Sequence, residues 1–372
     1  MLRAEVFAVD DTSVQVCWRF APPGRVHVAA GRSTASVPST GGPGGVVVGG
    51  LAPGTRVRVA VAAAGWAWAG HARTLVRPPG RELCRFAALN DLHIGATEFG
   101  PVRAIREVDH RDPHAVRCAR AAIAEALAWG AEAFVVKGDL TQEGRPNEWP
   151  VVAGLLGAAG VPVFAIEGNH ETQRSSVDGR AVMRAAGVQL AVTPTAFDLP
   201  GIRVVGVPTP RWHGDPGWVT REAALEAAEL AAAAPAAVLA LHHYPQRFLL
   251  PTLYPPGIPG PIARRALNAW AAANPNTIVI AGHTHRHRRR DYRGLVIAES
   301  GSTKDFPGTW TGYVVHEGGI MQVTRRTLAP AAMEWTEQGR RVLGGLWGVW
   351  SPGVRSHRCF SHAWPAPGRT AA

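Results

Sequence analysis

The sequence predicts an α/β domain preceded by a small all-β unit, and three observations carry that expectation. From about residue 80 onward short apolar runs alternate with helical stretches, whereas before it apolar and polar residues alternate singly between turn-forming segments. The two regimes meet at the breaker "RPPGRE", residues 77 to 82. A chain of 372 residues also exceeds the usual size of a single domain. These features divide it into 1–79, 80–326 and a C-terminal extension, 327–372.

In the first unit, Val14, Val16, Trp18 and Phe20 of "VQVCWRF" fall on one face of an extended chain. In "TRVRVAV", Val57, Val59 and Val61 alternate with Arg56 and Arg58. Turn chemistry in "APPG", "GGPGG" and "LAPGT" recurs at the short intervals of a β-sandwich. The segment "LAPGTRVRVAV", with the early strand tryptophan, resembles a fibronectin type III domain. No cluster of acids and histidines occurs here, so a structural role or the docking of a protein partner is expected.

In the second unit "RFAAL" (85 to 89) is a short buried strand, and "DPHAVRCARAAIAEALAWG" is a helix with Asp112 as N-cap, Pro113 in the first turn and Gly130 as the stop. "AFVVKG", "VPVFAIEG", "IRVVGVP", "AVLALHH" and "TIVIAG" are further strands, with "REAALEAAELAAAA" a helix between two of them. In the extension, Trp335, Trp347 and Trp350 are expected to pack onto the parent domain.

The 46% hydrophobic and 18% charged content is that of a globular protein, and no apolar run is long enough to span a membrane. Asp10 and Asp11 occupy the place where a secretory signal needs apolar residues, so a cytoplasmic location is expected. Cys17, Cys84, Cys118 and Cys359 match no zinc or redox spacing and are expected as reduced thiols. The net charge of +11 could attract phosphate-bearing partners. Yet only Lys137 and Lys304 among the 39 basic residues are lysine, a bias that looks genome-wide, so nucleic acid is not favoured as a partner.

The chemistry lies at the strand ends. Asp91 and His93 in "NDLHIG" follow the first strand of the second unit, Asp139 in "KGDLTQEG" follows the next, and Asn169 and His170 in "EGNHE" follow another. His242 and His243 in "LHHYP" and His283 and His285 in "GHTH" complete the set. The carboxyl ends of such strands are where open α/β sheets bind ligands. Carboxylates, imidazoles and a carboxamide without thiolate suit manganese, iron or zinc in a reactive site rather than a structural zinc. Taken singly, each has a plainer reading: a loop carboxylate, a turn asparagine, a core histidine.

Taken together, Asp-x-His, Gly-Asp, Gly-Asn-His-Glu, His and Gly-His-x-His, in this order, resemble the signature of calcineurin-like metallophosphoesterases. "GDLTQEG" and the His-His-x-Pro context look most like the class III cyclic nucleotide phosphodiesterases. The resemblance implies a four-layer α/β/β/α sandwich and two divalent ions. One ion would be held by Asp91, His93, His285 and the bridging Asp139, the other by Asp139, Asn169, His283 and one histidine of "LHHYP". The family spacing of two residues before proline favours His243, with His242 the alternative. His287 has no counterpart in the signature and is expected to be solvated or to face phosphate.

The implied reaction is in-line attack on phosphorus by a hydroxide shared between the ions, with His170 contacting phosphate or protonating the leaving oxygen. As an alternative, His170 orients Asp91 from behind. The tyrosine that purple acid phosphatases place three residues after the bridging aspartate is here Gln142, so a tyrosinate-bound ferric ion is not expected. Arg174 and Arg211 are candidates for holding substrate oxygens, as is the arginine run that begins at Arg286. The loops 94 to 113, 171 to 180, 208 to 219 and 244 to 260 are expected to shape the pocket. The expected substrate is a small phosphate ester, a phosphodiester first and a phosphomonoester second. A binding or scaffold protein on a degenerate phosphatase fold is the reading from another class.

Overall fold

A computed structural model describes residues 4–101, 104–174, 179–211, 215–248 and 254–365, the side chains of residues 173 and 174 excepted. Parts of the four expected pocket loops, and the side chain of Arg174, lie outside the described residues.

The first unit consists of β1 (Ala4–Val9), β2 (Val14–Ala21), β3 (Gly24–Ala30), β4 (Ser33–Ser39), β5 (Gly42–Val48), β6 (Arg56–Ala63) and β7 (Trp66–Arg73). They form two antiparallel sheets, ordered β1-β2-β5 and β4-β3-β6-β7. Val14, Val16 and Trp18 are buried as expected, but Phe20 is 50% exposed. The register of β2 against β5 shifts after Trp18, and this irregularity turns Phe20 outward. The other face of β2 is also buried, because Gln15 exchanges hydrogen bonds with the backbone of Arg326 in the second unit.

The second unit begins with β8 (Glu82–Leu89), the small hairpin β9 (Glu98–Phe99) and β10 (Ile105–Arg106), and α1 (His114–Trp129). Gly130 ends α1 in the left-handed conformation at φ 102°, as its sequence position implies. Asp112 is not the cap. Pro113 occupies that position with extended backbone, the Asp112 carboxylate pairs with Arg120 at 3.0 Å, and Glu107 accepts the His114 N–H at 2.5 Å. A carboxylate seven residues upstream thus serves the positive end of the helix.

Next come β11 (Phe134–Lys137), α2 (Trp149–Gly157), β12 (Val163–Ile166), α3 (Asn169–Arg174), α4 (Gly179–Ala185), β13 (Val188–Ala191), β14 (Thr195–Leu199) and β15 (Ile202–Val207). They lead to α5 (Arg221–Ala232), β16 (Ala237–Leu241), α6 (Gly260–Ala273), β17 (Thr277–Ala281), β18 (Arg288–Tyr292), β19 (Leu295–Glu299), β20 (Thr309–His316) and β21 (Gly319–Arg326). The extension adds α7 (Pro330–Gly339), α8 (Leu346–Trp350), α9 (Arg355–Arg358) and β22 (Cys359–Ala363).

One sheet runs β13-β12-β11-β8-β20-β21-β22, the other β14-β15-β16-β17-β19-β18. Phe86, Phe164, Ile166, Val238, Ile278 and Tyr313 interdigitate between the two sheets, each below 2% exposure. The helices α1, α2 and α4 cover the outer face of the first sheet, and α5 and α6 that of the second. The result is the expected α/β/β/α sandwich, whose central strands are buried on both faces and therefore read as continuous apolar runs.

Two of the three extension tryptophans pack against aromatic rings. Trp335 stacks on His114 at 3.8 Å and Trp347 lies 5.7 Å from Phe99, whereas Trp350 is 49% exposed under the Arg286 guanidinium. All four cysteines are free and buried, and burial pushes Cys17, Cys84 and Cys118 up to about 12, which makes them poor nucleophiles. No helix among the described residues is long and apolar enough to cross a membrane.

Candidate metal centre

The loops that leave β8, β11, β12, β16 and β17 converge at one end of the paired sheets and bring every expected acid and imidazole with them. Five of these residues have left-handed backbone: Asp91 at φ 53°, His93 at 48°, Asp139 at 49°, His283 at 69° and His285 at 52°. That conformation costs an L-residue roughly 1–2 kcal/mol, so tertiary contacts must hold these chain reversals in place. Glycine opens the space around them. A Cβ on Gly168 would lie 2.1 Å from Asp139 Oδ1, and one on Gly138, itself at φ 82°, would lie 2.5 Å from His242 Nδ1.

Two clusters result. In the first, His285 Nε2 lies 3.5 Å from Asp91 Oδ1 and 3.3 Å from His93 Nε2, which in turn lies 3.5 Å from Asp139 Oδ2. In the second, His242 Nε2 lies 3.3 Å from Asp139 Oδ1, 3.0 Å from Asn169 Oδ1 and 3.1 Å from His283 Nδ1. Asp139 therefore turns one carboxylate oxygen toward each cluster.

The second nitrogen of several imidazoles is anchored by the protein. His242 Nδ1 donates to the Lys137 carbonyl at 2.8 Å, His283 Nε2 to that of Pro256 at 3.1 Å, and His285 Nδ1 to the Asp305 carboxylate. Such anchoring leaves the opposite nitrogen with its lone pair facing the cluster. His243 also belongs to the second group: its Nδ1 meets Thr209 Oγ1 at 2.8 Å, and its buried Nε2 has no partner among the described residues.

Without a cation, protons and buried charge contend in this space. Burial opposes a charged His242, but Asp139 outweighs it and pushes the ring up to about 9. Burial works to raise Asp139 as well, yet His242 and His170 hold it well below the usual carboxylate range. His93, His243 and His283 are driven well below the usual histidine value, first by burial.

His170 stands at the rim. Its Nδ1 donates to the Gln142 carbonyl at 2.5 Å, and its Nε2 lies 4.0 Å from Asp139 Oδ2, with 26% of the side chain exposed. Its hydrogen bonds and ion pairs among the described residues run to Gln142 and Asp139, and none to Asp91. Arg211 is exposed and stacks on Trp218 at 4.4 Å, while its carbonyl accepts from Thr172 Oγ1 on the helix of His170. Arg286, in contrast, is buried and donates to the Tyr254 carbonyl at 2.8 Å. His287 is neither solvated nor facing phosphate. It is fully buried, its Nδ1 accepting from Gly301 N and its Nε2 meeting Thr309 Oγ1, each at 3.2 Å.

Several residues that complete the site were given no role by the sequence, although most stand inside or beside the motifs. Asn90 Nδ2 donates to Asp91 and to the carbonyls of Ser300 and Gly301. Glu171 accepts from Thr141 N and Oγ1, both at 2.8 Å, and from Gly168 N at 2.6 Å; burial, with Asp139 next, pushes it up to about 7. Lys137, lowered by burial to about 7, donates to the Ala281 carbonyl at 2.7 Å and to Ser300 Oγ at 3.2 Å. Lys304 pairs with Asp305 at 2.9 Å. The available signal was scarcity, since the only two lysines of an arginine-rich chain both lie buried at this site.

The donors fit metal ions. Bonds of roughly 2.0 to 2.2 Å put neighbouring ligand atoms about 3 to 3.5 Å apart, which is the spacing found in both clusters. Lone pairs that face one another in a buried space need a cation between them, and oxygen and nitrogen donors suit manganese, iron or zinc.

A four-layer α/β/β/α fold with oxygen and nitrogen ligand groups at its strand ends defines the metallophosphoesterases. The chain belongs to the family described as Calcineurin-like phosphoesterase, whose profile matches residues 84–287, more than half of it. It carries the domain of a metal-dependent phosphoester hydrolase.

Among solved structures, it is similar to a purple acid phosphatase from yellow lupin (Lupinus luteus) seeds, at 12% identity and TM-score 0.46, covering 88% of this chain and 72% of that one. It is similar to PhoD at 12% identity and TM-score 0.40, covering 85% and 84%. A putative 5'-nucleotidase from Staphylococcus aureus matches at 14% identity and TM-score 0.43, covering 62% and 50%. No curated protein matches the chain.

Proposed function

We propose that this protein is a dinuclear-metal phosphodiesterase. The observation that carries the reading is Asp139, whose two oxygens face two separate ligand groups at 3.3 and 3.5 Å. Asp91, His93, His285 and Asp139 would hold one ion, and Asp139, Asn169, His242 and His283 the other. Geometry favours His242 over His243, because its Nε2 alone meets Asp139, Asn169 and His283 together. When bound, the ion pair supplies an acidified water and neutralises phosphoryl charge.

The chain's own groups do the rest. Asp139 and Asn169 fix the spacing of the two sites, and the anchored imidazoles resist rotation. His170, held through Nδ1, directs Nε2 toward the rim, where it can donate to a leaving oxygen. Arg211, stiffened on Trp218, offers a guanidinium for a substrate oxygen. The choice of a phosphodiester rests on the phosphodiesterase-like "GDLTQEG" and His-His-x-Pro contexts. A phosphomonoester is the second substrate class.

The division at residues 79 and 326 is part of this reading. Sheets of three and four strands in the order β1-β2-β5 and β4-β3-β6-β7 support a fibronectin type III-like sandwich. Its attachment through Gln15 to Arg326, through Asp10 to Arg325 at 2.6 Å and through the Phe7 carbonyl to Arg358 supports a structural role.

Metal analysis with a substrate pair tests the proposal. Wild-type protein should bind two ions per chain and hydrolyse bis(4-nitrophenyl) phosphate faster than 4-nitrophenyl phosphate. Asp139→Asn should empty both sites and Asp91→Asn chiefly one. Equal metal content in wild type and Asp139→Asn refutes the dinuclear reading, and the opposite substrate preference makes the protein a phosphomonoesterase.

A further inference from the structure

Resting on the reading of His285 as a metal ligand, we propose that Asp305 is the positioning residue that fixes His285 and that Lys304 sets how much negative charge the first metal site presents. Asp305 and Lys304 are 2% and 4% exposed. One Asp305 oxygen accepts the His285 Nδ1–H, so Nε2 keeps its lone pair beside Asp91 and His93. The other oxygen accepts from Lys304 Nζ at 2.9 Å.

The backbone around this pair is pinned from both sides. Lys304 N donates to Ser302 Oγ at 3.1 Å, and that hydroxyl donates to the Asp91 carbonyl at 2.8 Å. Trp335 of α7 donates its indole N–H to the Lys304 carbonyl at 3.0 Å. The C-terminal extension therefore holds the segment that aims a proposed ligand.

A carboxylate behind an imidazole orients the ring and makes its far nitrogen a stronger donor. The Lys304 ammonium drains part of that charge. Removing either partner should therefore act on metal binding with opposite sign, which a residue that merely fills space would not do. Asp305→Asn leaves the ring loosely held and a buried ammonium near the ions. Lys304→Met leaves an uncompensated carboxylate that costs the apoprotein stability and attracts a cation more strongly.

The test titrates full-length apoprotein with Mn2+ and Zn2+ against a chelating dye, alongside thermal melts. Asp305→Asn should weaken the first site by roughly ten- to a hundred-fold, and Asp305→Glu should recover part of the loss. Lys304→Met should tighten that site several-fold while lowering the apoprotein Tm. The double variant, which leaves no lone buried charge and so guards against simple misfolding, should bind more weakly than wild type but more tightly than Asp305→Asn, because the ammonium is gone while the ring stays loosely held. If Asp305→Asn and the double variant bind like wild type while His285→Ala does not, the positioning role falls and the ligand reading stands. Unchanged binding in His285→Ala removes the ligand reading itself. Weakened binding in Lys304→Met refutes the charge argument.

Discussion

Glu171→Gln tests how the two ligand loops are held together. The Glu171 carboxylate spans them, with one oxygen accepting both the N–H and the hydroxyl of Thr141 and the other accepting the Gly168 N–H. Asp139 lies two residues before Thr141, and Asn169 directly after Gly168. A glutamine of the same shape has one acceptor oxygen. If that oxygen faces Thr141, the amide NH2 meets the Gly168 N–H, donor against donor, and flipping the amide moves the clash to Thr141.

Above pH 7, where the Glu171 carboxylate is ionised, one charge-assisted hydrogen bond is lost and one buried donor is left unsatisfied, costing together about 3 kcal/mol. If metal binding must reverse the whole distortion, second-site affinity falls by roughly a hundred-fold. Urea unfolding of the apoprotein reads the first number and metal competition the second. Thr141→Val, which removes a hydroxyl that donates to Glu171 and accepts the Gly144 N–H at 3.1 Å, should cost about 2 kcal/mol. A Glu171→Gln protein with the wild-type urea midpoint and wild-type second-site affinity refutes the clamp.

Three further outcomes are expected. His242→Ala should lose the second ion and nearly all turnover, whereas His243→Ala should keep both ions with a milder defect; metal counts per chain decide, and the reverse ranking moves the ligand by one residue. His170→Ala should retain both ions yet lose turnover by roughly a hundred-fold or more, most for a poor alkoxide leaving group and least for nitrophenolate; an equal loss with both makes it a phosphate contact. His114 is lowered from 6.5 to about 4 mainly by burial, so below pH 6.5 the unfolded chain takes up a proton that the fold refuses. Stability should therefore fall between pH 6.5 and 4 by up to about 3 kcal/mol. His114→Phe should flatten that slope in melts across this range, and an unchanged slope assigns the acid lability elsewhere.

The strands and their order of appearance were legible because central strands buried on both faces write continuous apolar runs. The proposed ligands were legible because each directly follows such a run. What lay outside sequence reach acts across tertiary distance. Glu107 caps α1 from seven residues away, β22 joins the sheet from a tail that reads as loop, and Asp305 and Thr209 belong to no motif. His242 and His243 show the limit at its sharpest. Proline spacing points to His243, both rings are fully buried, and only the turn that the chain takes after β16 distinguishes which ring meets Asp139.

The five left-handed backbones couple fold and chemistry. Glycine would relieve about 1 kcal/mol of backbone strain at each of Asp91, His93, Asp139, His283 and His285, but at Asp91 and Asp139 it would also strand the backbone N–H groups of His283 and His170 that their carboxylates accept. The same side chains that would hold the ions therefore also tie down the strained turns that carry them. Alanine at either aspartate should thus cost both ligand and fold, because it keeps the left-handed strain and loses the hydrogen bond that offsets it.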